Sequence, residues 1–191
     1  MTRRFYQVLL IATFVPLCWL VMQAVHELGH IAVAVATGGT VTKVVLHPIA
    51  ISRTDSSRSL HPMLVVWAGP AIGVALPLVL LAVFKAAKLK WDYLMQFFAG
   101  TCLIANGTYI GVGSFQRIGD AGDLMRQGSP IGFLWLFGIV AVPLGLWLWN
   151  GLGPSFGLGQ AEGKVDRVAA LFSCVMLLAV VVLELAFSSA Q

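Results

Sequence analysis

Charge is what this sequence has least of. Of its 191 residues, 12 are Lys or Arg and 8 are Asp or Glu, 10% in all, against roughly 25% in soluble globular domains. So little charge excludes a chain kept in solution by a charged surface. The surplus of +4 is spread over connecting segments instead of forming a patch, which points to membrane-surface chemistry and away from nucleic acid. Cysteine is also scarce. Cys18, Cys102 and Cys174 each lie in an apolar run without metal-type spacing, which excludes a disulfide framework or a cysteine-held zinc. Internal repeats and low-complexity tracts are absent.

What is present is apolar: 59% of the residues are hydrophobic, and 20 are glycine, as expected where membrane helices pack closely. The apolar runs predict membrane helices over Tyr6–Thr37, Leu64–Phe84, Tyr93–Val112, Ile131–Trp149 and Val168–Phe187. The first is longer than a bilayer needs, with Pro16 as an expected kink and Gly38-Gly39 as its end. Its basic start resembles a signal peptide, but Met22 before Ala24 makes a poor cleavage site, so one long helix is expected. The third span carries Asn106, which needs a partner in the membrane.

Between the first two spans the pattern changes. Val41, Val44, Val45, Ile49 and Ile51 are interleaved with Thr42, Lys43, His47 and Ser52. The stretch Thr40–Ser52 therefore reads as one or two short strands broken at Pro48, followed by a polar loop over Arg53–Ser59. An exposed strand edge here could pair with an extended peptide, or the segment could simply link two helices. The expected fold is an all-α membrane protein of about five transmembrane helices, with this short β-strand or hairpin element between the first and second. Residues 1–191 form a single domain in this reading, with a core over 5–130 and additional helices over 131–187.

The chemistry is concentrated in His26-Glu27-Leu28-Gly29-His30. On a helix, residues four apart share a face, so His26 and His30 can point at one zinc ion. Glu27 lies close enough to take a proton from a water at that ion, the division of labour in zinc proteases. Three ionisable side chains in five residues of an apolar helix cost roughly 2.5–3.5 kcal/mol or more each, so they need a compensating partner, and a metal is the natural one. His47 and His61 each adjoin proline and read as ordinary loop histidines.

A zinc held by two histidines needs a third protein ligand. Of the eight acidic residues, only Asp120 and Asp123 sit in a glycine-flanked turn after a membrane span, in Gly119-Asp120-Ala121-Gly122-Asp123. The residues alone leave the choice between them open, and a helix-cap role for either is the simpler alternative. Glu184, near the end of the last span, is expected to snorkel to the interface, with a place facing the bundle interior as the alternative.

These pieces resemble the site-2 protease class of membrane metallopeptidases, the M50 group, and its small M50B-like branch in particular. His26-Glu27-Leu28-Gly29-His30 matches the zinc motif. Ala68-Gly69-Pro70 resembles the family's Gly-Pro motif. Asp120-Ala121-Gly122-Asp123-Leu124-Met125-Arg126 resembles its Asp-Gly-Gly-Arg-Ile-Leu-Arg segment, which puts the third ligand on Asp120. The resemblance covers the first two-thirds of the chain. It departs where Asn106 lies far upstream of Asp120 without an intervening proline, and where Ala71, Ile72 and Gly73 follow the Gly-Pro motif in place of an asparagine.

The resemblance implies a multi-pass protein of a bacterial-type cell membrane. It would act as a zinc-dependent intramembrane endopeptidase, with zinc on His26, His30 and Asp120 and with Glu27 as catalytic base. The substrate would be a membrane-embedded or membrane-proximal peptide, which must unwind before its backbone can be attacked. Two other classes stand beside it: a zinc hydrolase with Glu162 or Glu184 as third ligand, and a metal-binding membrane protein with a regulatory or partner-binding role. The implied partners are the substrate and the lipid bilayer, not nucleic acid. Arg3, Arg4 and the Lys85–Lys90 loop favour a cytoplasmic N-terminus; the resemblance implies the opposite, and both orientations stand.

Overall fold

A computed structural model describes residues 2–57 and 60–189. Among them, six α-helices and one hairpin follow the order α1 (Thr2–Ala36), β1 (Val41–Val45), β2 (Arg53–Ser56), α2 (Pro62–Ala86), α3 (Asp92–Gln116), α4 (Gly119–Arg126), α5 (Ile131–Trp149) and α6 (Arg167–Ser189). Two short 3-10 turns, Gly153–Phe156 and Gly159–Ala161, lie between α5 and α6. The five long helices fall where the apolar runs predict them. Helix α1 is unbroken through Pro16 and, at 1.5 Å per residue, is about 52 Å long.

Among the described residues, four stretches, Arg4–Ala36, Pro62–Ala86, Ile131–Trp149 and Arg167–Ser188, are long and apolar enough to cross a membrane. Helix α3 has the length, about 37 Å, but a more polar composition, because it lies inside the bundle. It packs against α1, α2, α4 and α5, while α6 packs on α1. Its small residues allow this. A Cβ on Gly138 of α5 would come 2.9 Å from the Gly107 carbonyl oxygen, and one on Gly145 would come 2.7 Å from that of Gly100. Backbones this close are the geometry of small-residue helix packing in membranes. The largest apolar cluster joins α1, α3, the 3-10 turn and α6 through residues such as Leu10, Phe14, Phe98, Cys102, Phe156 and Ala169.

The hairpin differs from the expectation in one strand. Strand β1 lies within the β-branched stretch, but its partner is Arg53–Ser56, which the sequence reads as polar loop. The strands are antiparallel, with Val44 opposite Thr54 and Val45 opposite Arg53, and an irregularity between Val41 and Lys43. An Arg-Thr-Asp-Ser strand has no apolar alternation to announce it. Backbone pairing with β1 and side-chain anchoring to α1 form it instead. Of the rest of the expected loop, Ser57 donates its backbone N–H to the Thr40 carbonyl at 2.7 Å, and residues 58 and 59 lie outside the described residues.

The chain turns sharply between α3 and α4. Arg117 and Gly119 both take left-handed backbone conformations, at φ 54° and 53°. A Cβ on Gly119 would overlap the Tyr109 hydroxyl, so glycine serves both the conformation and the close approach. This turn brings α4 back against α2 and α3.

Candidate metal centre

Helix α1 puts His26 and His30 one turn apart on the face toward α2 and α3. Both are buried. Their rings are 4.8 Å apart between centroids, and their Nε2 atoms are 3.0 Å apart. Helix α4 supplies the third group. Asp120 Oδ2 lies 2.8 Å from His26 Nε2 and 3.2 Å from His30 Nε2. One ligand atom from each of the three residues falls within 4.8 Å of the others, an arrangement able to hold a metal ion.

The outer hydrogen bonds set the state of both rings. His30 Nδ1 is 2.8 Å from the Val65 carbonyl oxygen, which can only accept, so Nδ1 carries the proton. His26 Nδ1 is 2.6 Å from Asn106 Oδ1. Asn106 Nδ2 donates to the Cys102 carbonyl at 2.9 Å, which orients the amide with its oxygen toward His26. In its neutral form, each ring therefore points an Nε2 lone pair inward. Between neutral rings, Asp120 Oδ2 finds no Nε2–H to accept and is left facing both lone pairs. Two lone pairs and an ionised oxygen thus converge on one point, where only a cation satisfies all three. This donor set, two imidazoles and a carboxylate, suits zinc.

Space at that point depends on glycine. A Cβ on Gly69 would overlap His30 Nε2 and come 2.8 Å from His26 Nε2. A Cβ on Gly29 would overlap the Ala68 carbonyl oxygen, so α1 and α2 meet at their smallest residues beside the site. Tyr109 stands on the other side, its ring edge-on to His26 at 5.9 Å. Its hydroxyl accepts a hydrogen bond from the Asp120 backbone N–H at 3.2 Å, which ties the start of α4 to α3.

Glu27 is buried beside the histidines, only 4% exposed. Both carboxylate oxygens are engaged from the hairpin side. Ser52 Oγ donates to Oε1 at 2.7 Å, and Thr54 Oγ1 donates to Oε2 at 2.6 Å. One turn earlier, Gln23 Oε1 accepts the Ser52 backbone N–H at 3.0 Å.

The other candidates lie elsewhere. Asp123 pairs with Arg126 on the exposed side of α4, and Glu162 pairs with Arg4 at 2.6 Å. His47 Nδ1 accepts the Ile49 N–H at 3.3 Å, and the His61 carbonyl accepts the first N–H groups of α2. Glu184 departs from the snorkelling expectation. It is buried, with Oε2 unpartnered; one turn on, Ser188 Oγ donates to the Leu46 carbonyl at 2.7 Å. Sequence reasoning missed Val65, Tyr109, Ser52 and Thr54 as parts of the site, and reached Gly69 only through the resemblance of Ala68-Gly69-Pro70 to the family's Gly-Pro motif. Only Asn106 signalled itself, as an amide in an apolar helix without an obvious partner.

The model of the family described as Peptidase M50B-like matches residues 5–110, more than half of the chain. The matched stretch holds α1 with His26, Glu27 and His30, the hairpin, α2 and most of α3. It ends before Asp120. No curated protein and no solved structure matches the chain.

Proposed function

The chain belongs to the Peptidase M50B-like family, and from that premise we propose that it is a zinc-dependent intramembrane endopeptidase of the multi-pass type. The observation that carries this reading is the convergence of three electron-pair donors, His26 Nε2, His30 Nε2 and Asp120 Oδ2, in rings whose outer nitrogens are already committed. Zinc held there would supply Lewis acidity toward a peptide carbonyl and acidify a water.

The protein's own groups account for the remaining chemistry. Asn106 and the Val65 carbonyl hold the imidazoles in the ligating tautomer. Glu27 adjoins His26 in sequence and is shielded from bulk solvent. As general base it takes the proton of the attacking water, and as general acid it returns a proton to the leaving amine. The substrate is a membrane-embedded or membrane-proximal segment that must be extended to react, because helical carbonyls are internally satisfied. Residues Val41–Val44 line an open groove of about 420 Å³, which supports docking of an extended segment beside the hairpin.

The test is zinc content in mild detergent together with cleavage of a library of single-span peptides read by mass spectrometry. About one zinc per chain is expected, lost in Asp120→Ala and kept in Asp123→Ala, Glu162→Ala and Glu27→Gln, with peptide cleavage abolished in Glu27→Gln. Zinc loss only in Glu162→Ala would move the protein to another class of zinc hydrolase. A well-folded protein without zinc would overturn the proposal. Zinc binding with function intact in Glu27→Gln but lost in His26→Ala would mark a non-catalytic metal protein.

A further inference from the structure

The two hydroxyls on Glu27 come from the hairpin, not from the helices that carry the rest of the site. Ser52 immediately precedes β2, and Thr54 lies within it. Their contacts at 2.7 and 2.6 Å divide the carboxylate evenly, one oxygen to each hydroxyl. The segment is pinned a third time where the Ser52 N–H meets Gln23 Oε1 at 3.0 Å. Gln23 and Glu27 are one turn apart on α1, so β2 lies along the helix face that presents the acid.

A buried carboxylate must be hydrogen-bonded, and hydrogen bonds to a charged acceptor are roughly twice as strong as neutral ones. Two of them from two different residues fix both the position of the carboxylate and the rotation of its plane. A carboxylate oxygen has two acceptor sites, so each Glu27 oxygen keeps one free while its hydroxyl partner stays in place. We propose that Ser52 and Thr54 are positioning residues for Glu27, and that the hairpin thereby sets the geometry of proton transfer. This rests on the reading of Glu27 as the base of a peptidase and adds the residues that aim it.

The experiment compares Ser52→Ala, Thr54→Val and their double variant with the conservative Ser52→Thr and Thr54→Ser, all zinc-loaded in mild detergent. Two quantities are read. The first is the infrared carboxylate band of Glu27, isolated in each background by subtracting the matching Glu27→Gln protein, which needs no substrate. The second is kcat and KM on the single-span peptide that the unmodified protein cleaves fastest. The double variant is expected to shift the Glu27 band, to keep its zinc, and to lose about 10²-fold or more in kcat with KM little changed, a loss typical of a misplaced catalytic group. Thr54→Ser and Ser52→Thr are expected to restore both readouts. An unshifted band, or full kcat in the double variant alongside an inactive Glu27→Gln, overturns the inference while the base assignment stands. Activity in Glu27→Gln, or none in the unmodified protein, overturns the peptidase reading itself, and with it the role assigned to the two hydroxyls.

Discussion

His26 donates from Nδ1 to the side-chain oxygen of Asn106, 2.6 Å away across two helices, and Asn106 is itself anchored to the Cys102 carbonyl. The pair is buried, Asn106 at 1% exposure. In the neutral ring it holds the second nitrogen of His26 unprotonated and inward. Removing such an outer partner typically costs 10–100-fold in metal affinity. Asn106→Leu is therefore expected to weaken zinc binding by about that factor, and Asn106→Asp, which keeps the acceptor, to weaken it less. Competition with a chromophoric zinc chelator measures both. Equal affinity in Asn106→Leu would sink the assignment.

Gly69→Ala tests the space at the centre. Its methyl group would overlap His30 Nε2 and crowd His26 Nε2, while alanine favours the helix by about 1 kcal/mol over glycine. The expected outcome is a folded, helical protein with its zinc content reduced from about one per chain to near zero, read by circular dichroism and metal analysis. Full zinc in the variant would place the metal elsewhere.

Gly119→Ala is expected to destabilise by at least roughly 1–2 kcal/mol from the left-handed backbone alone, with a further cost from overlap with the Tyr109 hydroxyl. Tyr109→Phe removes the nearest overlapping atom but also the acceptor of the Asp120 N–H, so the steric part is read as the coupling between the two substitutions in a double-mutant cycle. Thermal unfolding in detergent of the parent, both single variants and the double variant gives that coupling. Strictly additive effects would rule out the steric contribution.

Asp166 supplies the pH dependence that can be assigned outside the membrane-spanning segments. Its side chain sits 2.7 Å from Lys90 Nζ and accepts from Trp91 Nε1 at 3.0 Å. It also caps α6 by accepting the Val168 and Ala169 N–H groups. Lys90 and Trp91, together with the α6 N–H groups, hold its carboxyl down at about 2. A depressed carboxyl contributes stability above its unfolded value, near 3.9, and loses it as pH falls toward 2. Asp166→Asn is expected to melt lower than the parent at pH 7 and to converge with it only as pH falls to about 2 and below. A constant gap across that range would mean that the charge contributes nothing. Asp166→Ala should cost about 0.5–2 kcal/mol as a lost helix cap.

Much of this architecture is legible in one dimension because its causes are local. A run of about 20 apolar residues is a membrane helix on account of backbone hydrogen bonding in lipid, so the long helices were expected within a few residues of where they lie. His26, Glu27 and His30 are legible for the same reason: a separation of four residues fixes two side chains on one face whatever surrounds the helix. The second strand was not legible. Arg53-Thr54-Asp55-Ser56 has neither apolar alternation nor β-branched enrichment beyond Thr54, and it is ordered by contacts to residues about 10 and 27 positions away.

What the sequence determined by itself was the membrane-helical class, the two histidines and the acid between them, and two aspartates as candidates to complete the set. Tertiary structure decided the rest. Asp120 and Asp123 are chemically identical and three residues apart. The left-handed turn at Arg117 and Gly119 and the Tyr109 hydroxyl at the Asp120 N–H bring the first beside the histidines. The second is left on the outer face with Arg126. Only the fold could bring Asn106 to His26, or Ser52 and Thr54 to Glu27. A hydrogen bond requires atoms within about 3 Å in correct alignment, and no period in the sequence encodes that distance between separate elements.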